Sequence, residues 1–396
     1  MDNLTHTLCG ALIGLRYANG KRSAARAIVT ASILANNLPD IDVVYAPFVS
    51  APFGSLLHHR GHTHTFLVAI ALGCLFALVT LAVFSAVGRS VPKEHRWHVV
   101  LVAMIGAITH ILCDWMNSYG VHPFWPFSNE WHYGDTLFII EPTLWIALSM
   151  SVCAMIKTRL LRGICFLPTL LAFTLMVILG RVPPEMTVLL VLVTVGMFVV
   201  LRSSSAATRS NAWIAICVCA LVTFGVMHRV ASTAAASQRQ PGDVVLNEAV
   251  VPSPANPFCW TQLSIILREG QPIARTVTVE PFREIYTFRC PRYSVRGALS
   301  GAVGDVHEAL LSRASLERYA GQCRWNAFRQ FARFPYVAAC ENGGHCSADL
   351  RFSSFGRSFA SIPLDGDCPD HLPPWEPVMQ YPWEAPRVVH GLELGR

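Results

Sequence analysis

Along residues 1–227, apolar side chains run in long blocks rather than in the alternation of strands or the one-sided stripe of surface helices. The blocks cover roughly 4–18, 25–46, 65–87, 98–115, 137–156, 163–180, 185–201 and 212–227. Most approach the about 20 residues with which an α-helix crosses hydrocarbon. The first is short and predicts a half-inserted or interfacial helix, tolerable where a cavity reaches membrane depth. After residue 227 the pattern changes. A polar Ala/Ser-rich stretch, Ala231–Gln240, predicts a linker within 228–240. Alternation at Thr276–Glu280, Glu284–Phe288 and Ala348–Phe352 predicts strands, Asp305–Tyr319 and Trp325–Phe334 predict helices, and Pro363–Pro386 reads as a Pro-rich tail. The predicted fold is an α-helical polytopic membrane domain of about 7–8 hydrophobic segments over 1–227, followed by a small α+β domain over 241–396.

Composition supports that division. The chain is 53% hydrophobic and 14% charged, with mean hydropathy +0.41, whereas soluble domains carry about 25% charged residues. A soluble enzyme, a disordered chain, a collagen-like repeat and a coiled coil are excluded. Residues 1–227 hold 14 Lys+Arg against 9 Asp+Glu, and residues 228–396 hold 17 against 16. The small excess is not the clustered basic face of a nucleic-acid binder. The Met-Asp-Asn start lacks the charged region and cleavage site of a signal peptide.

The placement of these charges predicts topology. Arg16, Lys21, Arg22, Arg26, Arg89, Lys93, Arg96, Lys157, Arg159, Arg162, Arg202 and Arg209 occupy one alternating set of connections; the other set holds Arg60 and Arg181. The basic set is expected to be cytoplasmic. Residues 47–64, 116–136 and everything after 228 are then outside, with the C-terminal domain periplasmic and the protein multi-pass in the cytoplasmic (inner) membrane. Six cysteines after 228 (Cys259, Cys290, Cys323, Cys340, Cys346 and Cys368) fit disulfides in an oxidising compartment. Zinc is the alternative, but there is no CxxC pair. Seven cysteines in the membrane block read as small apolar packing residues.

Acids and histidines of the membrane block fall on the other side. Of nine acids, only Glu94 lies in a predicted cytoplasmic connection; of ten histidines, only His95 and His98 do. The rest gather at predicted outer helix ends: Asp2 and His6, Asp40 and Asp42, His58 to His64, His110 and Asp114, and Asp135 to Glu141. Ionisable groups at bilayer depth are costly and usually functional. Asp2 and His6, and His110 and Asp114, stand at i,i+4, so each pair shares a helix face. Pro39 is expected to break the second helix beside Asp40. Converging imidazoles and carboxylates suit a divalent cation, Zn2+ first, with Mn2+ or Fe2+ as alternatives. His58 and His62 read as loop residues. His122 and His132, near Trp125, Trp131 and Tyr133, read as interface anchors.

These residues also carry a resemblance. Met1-Asp2-Asn3-Leu4-Thr5-His6 with Gly10 and Gly14, Leu38-Pro39-Asp40-Ile41-Asp42, and His59-Arg60-Gly61-His62-Thr63-His64-Thr65 resemble the YdjM-like family of membrane-bound, predicted metal-dependent hydrolases. So do His110-x-x-x-Asp114, Ser118-Tyr119-Gly120, Trp125-Pro126-Phe127-Ser128 and Asp135-x-x-Phe138-Ile139-Ile140-Glu141-Pro142. The match spans 1–142, with weaker likeness at Pro252–Trp260 and Phe331–Pro335. Thr65 and Glu141 stand where the family pattern has Ser and Asp. The resemblance implies a metal-dependent hydrolase.

The expected metal ligands are His6, His59, His64, His110 and Asp114, with Asp40 and Asp42 as ligands or bridging groups. A bound cation would activate water. Asp135 or Glu141 is the expected general base or ligand-orienting group, and Arg60 the clamp for an anionic oxygen. A site at the bilayer surface suggests a membrane lipid or lipid-linked ester or phosphoester. Two rivals are a metal or proton transporter, which would need ionisable groups in the cytoplasmic half too, and a non-catalytic scaffold whose metal only fixes the helices.

Overall fold

The structure is a computed structural model that describes residues 1–50, 52–285, 290, 306–340, 343–352 and 360–384. Eight helices correspond to the eight apolar blocks: α1 (Asn3–Tyr17), α2 (Ala25–Asn37), α5 (Phe66–Ala86), α6 (Lys93–Trp115), α7 (Pro142–Met155), α8 (Arg159–Ile178), α9 (Pro184–Leu201) and α10 (Ala206–Ser237). The short helices α3 (Asp42–Tyr45) and α4 (Gly54–His58) lie between α2 and α5. Among the described residues, six segments are long and apolar enough to cross a membrane: Ala25–Phe48, α5, α6, α8, α9 and α10. Helices α1 and α7, at 15 and 14 residues, are shorter.

Local chemistry sets the helix ends nearest the polar cluster. Asp2 caps α1, accepting from the amides of Leu4 and Thr5, and is tied down by Trp145 Nε1. It serves as a cap, as short acceptor side chains do. Thr65 caps α5 by accepting from Val68 N while its hydroxyl donates to His62 O. Helix α2 ends at Asn37, and Pro39 sits in a 3-10 turn over Leu38–Ile41 that swings Asp40 and Asp42 inward.

The helices approach closely where side chains are smallest. A Cβ at Gly10 would come within 2.8 Å of Ile33 Cα and of Ser32 O on α2. One at Gly106 of α6 would come within 3.0 Å of the same Ser32 carbonyl. Small residues are how membrane helices pack backbone to backbone. We expect Gly10→Val to push α1 off α2 at a cost of about 1–3 kcal/mol. Thermal unfolding in detergent should show this as a lower midpoint, and an unchanged midpoint would contradict the packing described. By contrast, α8 and α9 expose apolar side chains on nearly every side, including Leu160, Ile178, Val195 and Val200.

Beyond α10 the chain forms a four-stranded antiparallel sheet in the order β1 (Val244–Ser253), β2 (Asn256–Arg268), β3 (Gln271–Val279), β4 (Val306–Leu310). The β2–β3 hairpin turns on Glu269-Gly270, both at positive φ, the form that matches strand twist. Two short helices follow, α11 (Arg313–Tyr319) and α12 (Cys323–Arg329). A second antiparallel sheet has the order β5 (Pro335–Ala339), β6 (His345–Asp349), β7 (Ile362–Pro363). Three disulfides join Cys259–Cys290, Cys323–Cys368 and Cys340–Cys346, and the seven cysteines of the membrane block are free.

Several sequence expectations change. Ala231–Gln240 is helical as far as Ser237, because an alanine-rich stretch keeps α10 going. Val306–Leu310 is a strand rather than the start of a helix, since it pairs with Ile273–Val277 of β3. The two helices are shorter than expected, and 350–352 forms a 3-10 turn where a strand was expected. The strand expected at Glu284–Phe288 is a turn at 284–285 and otherwise lies outside the described residues. The C-terminal region also shares cores with the helices. Val250, Trp260, Val277 and Val279 pack with Phe224, Met227, Leu8 and Leu144. Phe53, Leu57, Tyr119 and Trp131 are buried in a core with Trp325, Phe331 and Trp375.

Candidate metal centre

Four chain segments meet at one end of the bundle: the start of α1, the turn after α2, the turn before α5 and the end of α6. Asp40, His64, His110 and Asp114 each bring one ligand atom into a common group. His64 Nε2 is 3.3 Å from Asp40 Oδ1, 3.2 Å from Asp114 Oδ2 and 3.1 Å from His110 Nε2. His110 Nε2 is 3.6 Å from Asp40 Oδ1 and 3.4 Å from Asp114 Oδ2. A tetrahedral ion bonding at about 2.0–2.1 Å sets its donors about 3.3–3.4 Å apart. The observed separations straddle that value.

The tautomers are arranged for the same purpose. His110 Nδ1–H donates to Asn36 O at 2.7 Å, which leaves the Nε2 lone pair facing the group. His64 Nδ1 lies 3.2 Å from Asp42 Oδ2 and 3.1 Å from Thr63 Oγ1, whose own proton goes to Asp42. Nδ1 therefore carries the proton and Nε2 faces inward. Ligand histidines are usually held in this way, by a carboxylate or carbonyl on the far nitrogen. Asp114 is fully buried, and neither of its oxygens accepts a hydrogen bond of good geometry, although Arg60 and the Met1 amino group stand close. Two carboxylates and two neutral imidazoles around one point fit a divalent cation.

A second trio, Asp40, Asp42 and His59, also has ligand atoms within reach of one another, and shares Asp40 with the first group. Here Asp42 is heavily engaged. Its Oδ1 meets His59 Nδ1 at 2.9 Å, and its Oδ2 accepts from Arg60 N and from Thr63 Oγ1. Asp42 thus behaves as the carboxylate that positions two histidines. Asp42→Asn is expected to weaken metal binding by about 10–100-fold while leaving all four inner donors in place. Competition with a chelator measures this, and unchanged affinity would argue against the orienting role.

Arg60 is buried at positive φ beside this group. Its guanidinium is 3.1 Å from Asp114 Oδ1, donates to Asn117 Oδ1 at 2.9 Å and lies over the Tyr119 ring. Burial lowers its pKa to about 10, so it stays charged at neutral pH. Its Nε has no hydrogen-bond partner among the described residues.

The other expected residues differ in position. His6 borders the four-donor group, stacking on His110 with ring centroids 3.7 Å apart and putting Nε2 3.3 Å from Asp114 Oδ1. Asp135 is paired with Arg333 at 2.8 Å. Glu141 caps α7 through Thr143 N and accepts from Ala255 N of the β1–β2 turn. Neither carboxylate is brought to the metal-binding group; both join the helices to the C-terminal region. His122 is not an interface anchor: it is buried between Trp131 and Trp375, and burial lowers its pKa to about 3. His62 packs on Trp125 and Trp375, and His58 lies near Ser50. The sequence gives no role to Thr63, Asn117, Tyr119 or Trp375. Thr63 and Tyr119 do lie inside motifs that mark the region.

Fold and site together define a helical membrane protein with a buried His/Asp cluster able to hold a metal ion. A family model described as YdjM inner membrane protein matches residues 1–232, and the chain belongs to that family. No curated protein and no solved structure matches the chain.

Proposed function

We propose that the protein is a metal-dependent hydrolase working at the outer face of the cytoplasmic membrane on an amphiphilic ester or phosphoester. The observation that carries this reading is the convergence of four donors at ion-like spacing with both histidine tautomers held. A divalent cation in that position, Zn2+ before Mn2+ or Fe2+, supplies Lewis acidity and makes water more acidic.

The chain's own residues supply the rest. Asp42 holds His59 at Nδ1, so His59 Nε2 is left to take a proton from water and return it to the leaving group. This role passes to His59 from Asp135 and Glu141, which are occupied elsewhere. Arg60 balances Asp114 and offers its Nε, unpartnered among the described residues, to an anionic oxygen. Structural zinc sites are closed and usually rich in cysteine; here the donors are His and Asp, and Asp40 and His59 are partly exposed. Phe48 and Phe127, on the connections that carry the site, are 86% and 90% exposed, which favours a bilayer beside it. The disulfides and the basic connections favour an extracytoplasmic C-terminal region.

Transport is less well supported. Beyond the site, the inner faces of α2, α5 and α6 are lined by small apolar residues such as Ala27, Ala31, Ala77, Val99 and Ala103. These offer no ion path. His59→Ala is expected to keep the bound metal and lower turnover of a lipid ester or phosphoester by about 100-fold or more. Loss of metal in that variant would place a second ion at Asp40, Asp42 and His59. Metal flux in proteoliposomes, or metal retention without turnover across a lipid panel, would overturn the hydrolase reading.

A further inference from the structure

A cavity lies against the candidate metal centre and shares one wall with it. It has a volume of about 280 Å³ and lies where the helices meet the C-terminal region. Its lining includes Leu137 and Ile139, on the approach to α7, Val251 of β1, Leu263 of β2, and Phe352. Arg351 lies at its edge, bonded to Asp349 and to backbone carbonyls, so its charge is already balanced. The shared wall is Tyr119. Its ring lines the cavity on one side, and on the other stacks under the Arg60 guanidinium, 4.6 Å away, and sits beside His59. Its buried hydroxyl has no hydrogen-bond partner among the described residues.

We infer that this cavity receives one hydrocarbon chain of a bilayer lipid whose polar end lies at Arg60 and His59. The inference rests on the hydrolase reading for the chemistry at the polar end, but not for the binding. The lining is mostly apolar, with Ser118, Thr261 and Arg351 as its polar members, which favours a hydrocarbon chain over a sugar or nucleotide that would bring many more hydroxyls or charges. The cavity is partly open, so a chain longer than it can hold extends out of it. Leu137 ties the cavity to the bundle, since it packs in the same core as Leu8, Leu144 and Leu148.

The test uses the full chain in nanodiscs of a phospholipid carrying a diazirine near the middle of one acyl chain. After irradiation, adducts are mapped by mass spectrometry. Adducts are expected on peptides containing 137–139 and 251–263. Ile139→Trp and Val251→Trp, both at half-buried positions, should each reduce these adducts by about tenfold by filling the space. Labelling confined to α8 and α9, or cavity labelling that both tryptophans leave unchanged, would overturn the inference. So would labelling by a diazirine fatty acid but not by the phospholipid. The His64→Ala variant keeps the two readings apart. Cavity adducts should persist in it although metal and turnover are lost, and a lipid that binds but is never cleaved by the intact protein would remove only the hydrolase reading.

Discussion

His64→Ala and His110→Ala are each expected to abolish stable metal binding. Each removal takes one of four converging donors and leaves Asp40 and Asp114 sharing a small volume with one imidazole fewer. Disturbing only the residues behind metal ligands costs about 10–100-fold in affinity, so losing a ligand should exceed that range. The purified wild-type chain should carry about one ion at the first group, read by elemental analysis, and each variant only background. Stability reports the same event independently of activity. A ligand present at 100 to 1,000 times its Kd stabilises a fold by about 2.7 to 4.1 kcal/mol. Adding metal to chelated wild type should therefore raise its thermal midpoint, and the same addition should leave both alanine variants unmoved. Full metal content in either variant would remove the centre described above.

The sequence made some of this arrangement legible and concealed the rest for physical reasons. His110 and Asp114 could be paired without coordinates, because a four-residue step returns to the same helix face. Pro39 announced a helix end, and the turn it makes is what brings Asp40 and Asp42 inward. The eight helices were readable because lipid imposes long apolar runs. The division of labour between the two aspartates was not readable. Asp40 and Asp42 are two residues apart on an irregular turn, and only the fold decides that one faces the ion group while the other backs His59 and His64. The partners of Asp135 and Glu141 were hidden for a related reason. Both residues are acids at helix ends beside the cluster, but their partners, Arg333 and Ala255, come from residues more than 100 positions later. The strand Val306–Leu310 was likewise hidden, since its conformation follows from β3 rather than from its own pattern. Trp375 carried no local signal, although it closes over Gly61, His62 and His122.

The attachment of the C-terminal region should depend most heavily on Arg351. Its guanidinium is buried and donates to the Asp349 carboxylate, to Ser118 O and Tyr119 O on the helical side, and to Phe331 O. Asp349 in turn accepts from the amides of Arg333 and Arg351. Replacing Arg351 with methionine keeps much of the volume but leaves a buried carboxylate with only its two amide donors and no balancing charge, and takes the guanidinium from three carbonyls. Removing one partner of a buried ion pair costs about 3–5 kcal/mol. Local opening of the junction should then become at least about 100-fold more frequent, since each 1.36 kcal/mol is a factor of ten. Arg351→Lys should fall between methionine and wild type, because an ammonium keeps the charge but cannot present the guanidinium's fork of donors. Arg313→Met is the comparison. It removes an exposed i,i+4 pairing with Glu317, which is worth about 0–1 kcal/mol. Hydrogen exchange resolves the difference by position. In Arg351→Met, protection should fall at 118–122 and 331–351, with the inner part of α6 unaffected. Because Tyr119 stands between this junction and Arg60, metal binding should survive in that variant while turnover drops. Equal exchange at 118–122 in the wild type and in Arg351→Met would show that the C-terminal region does not hold the wall of the site.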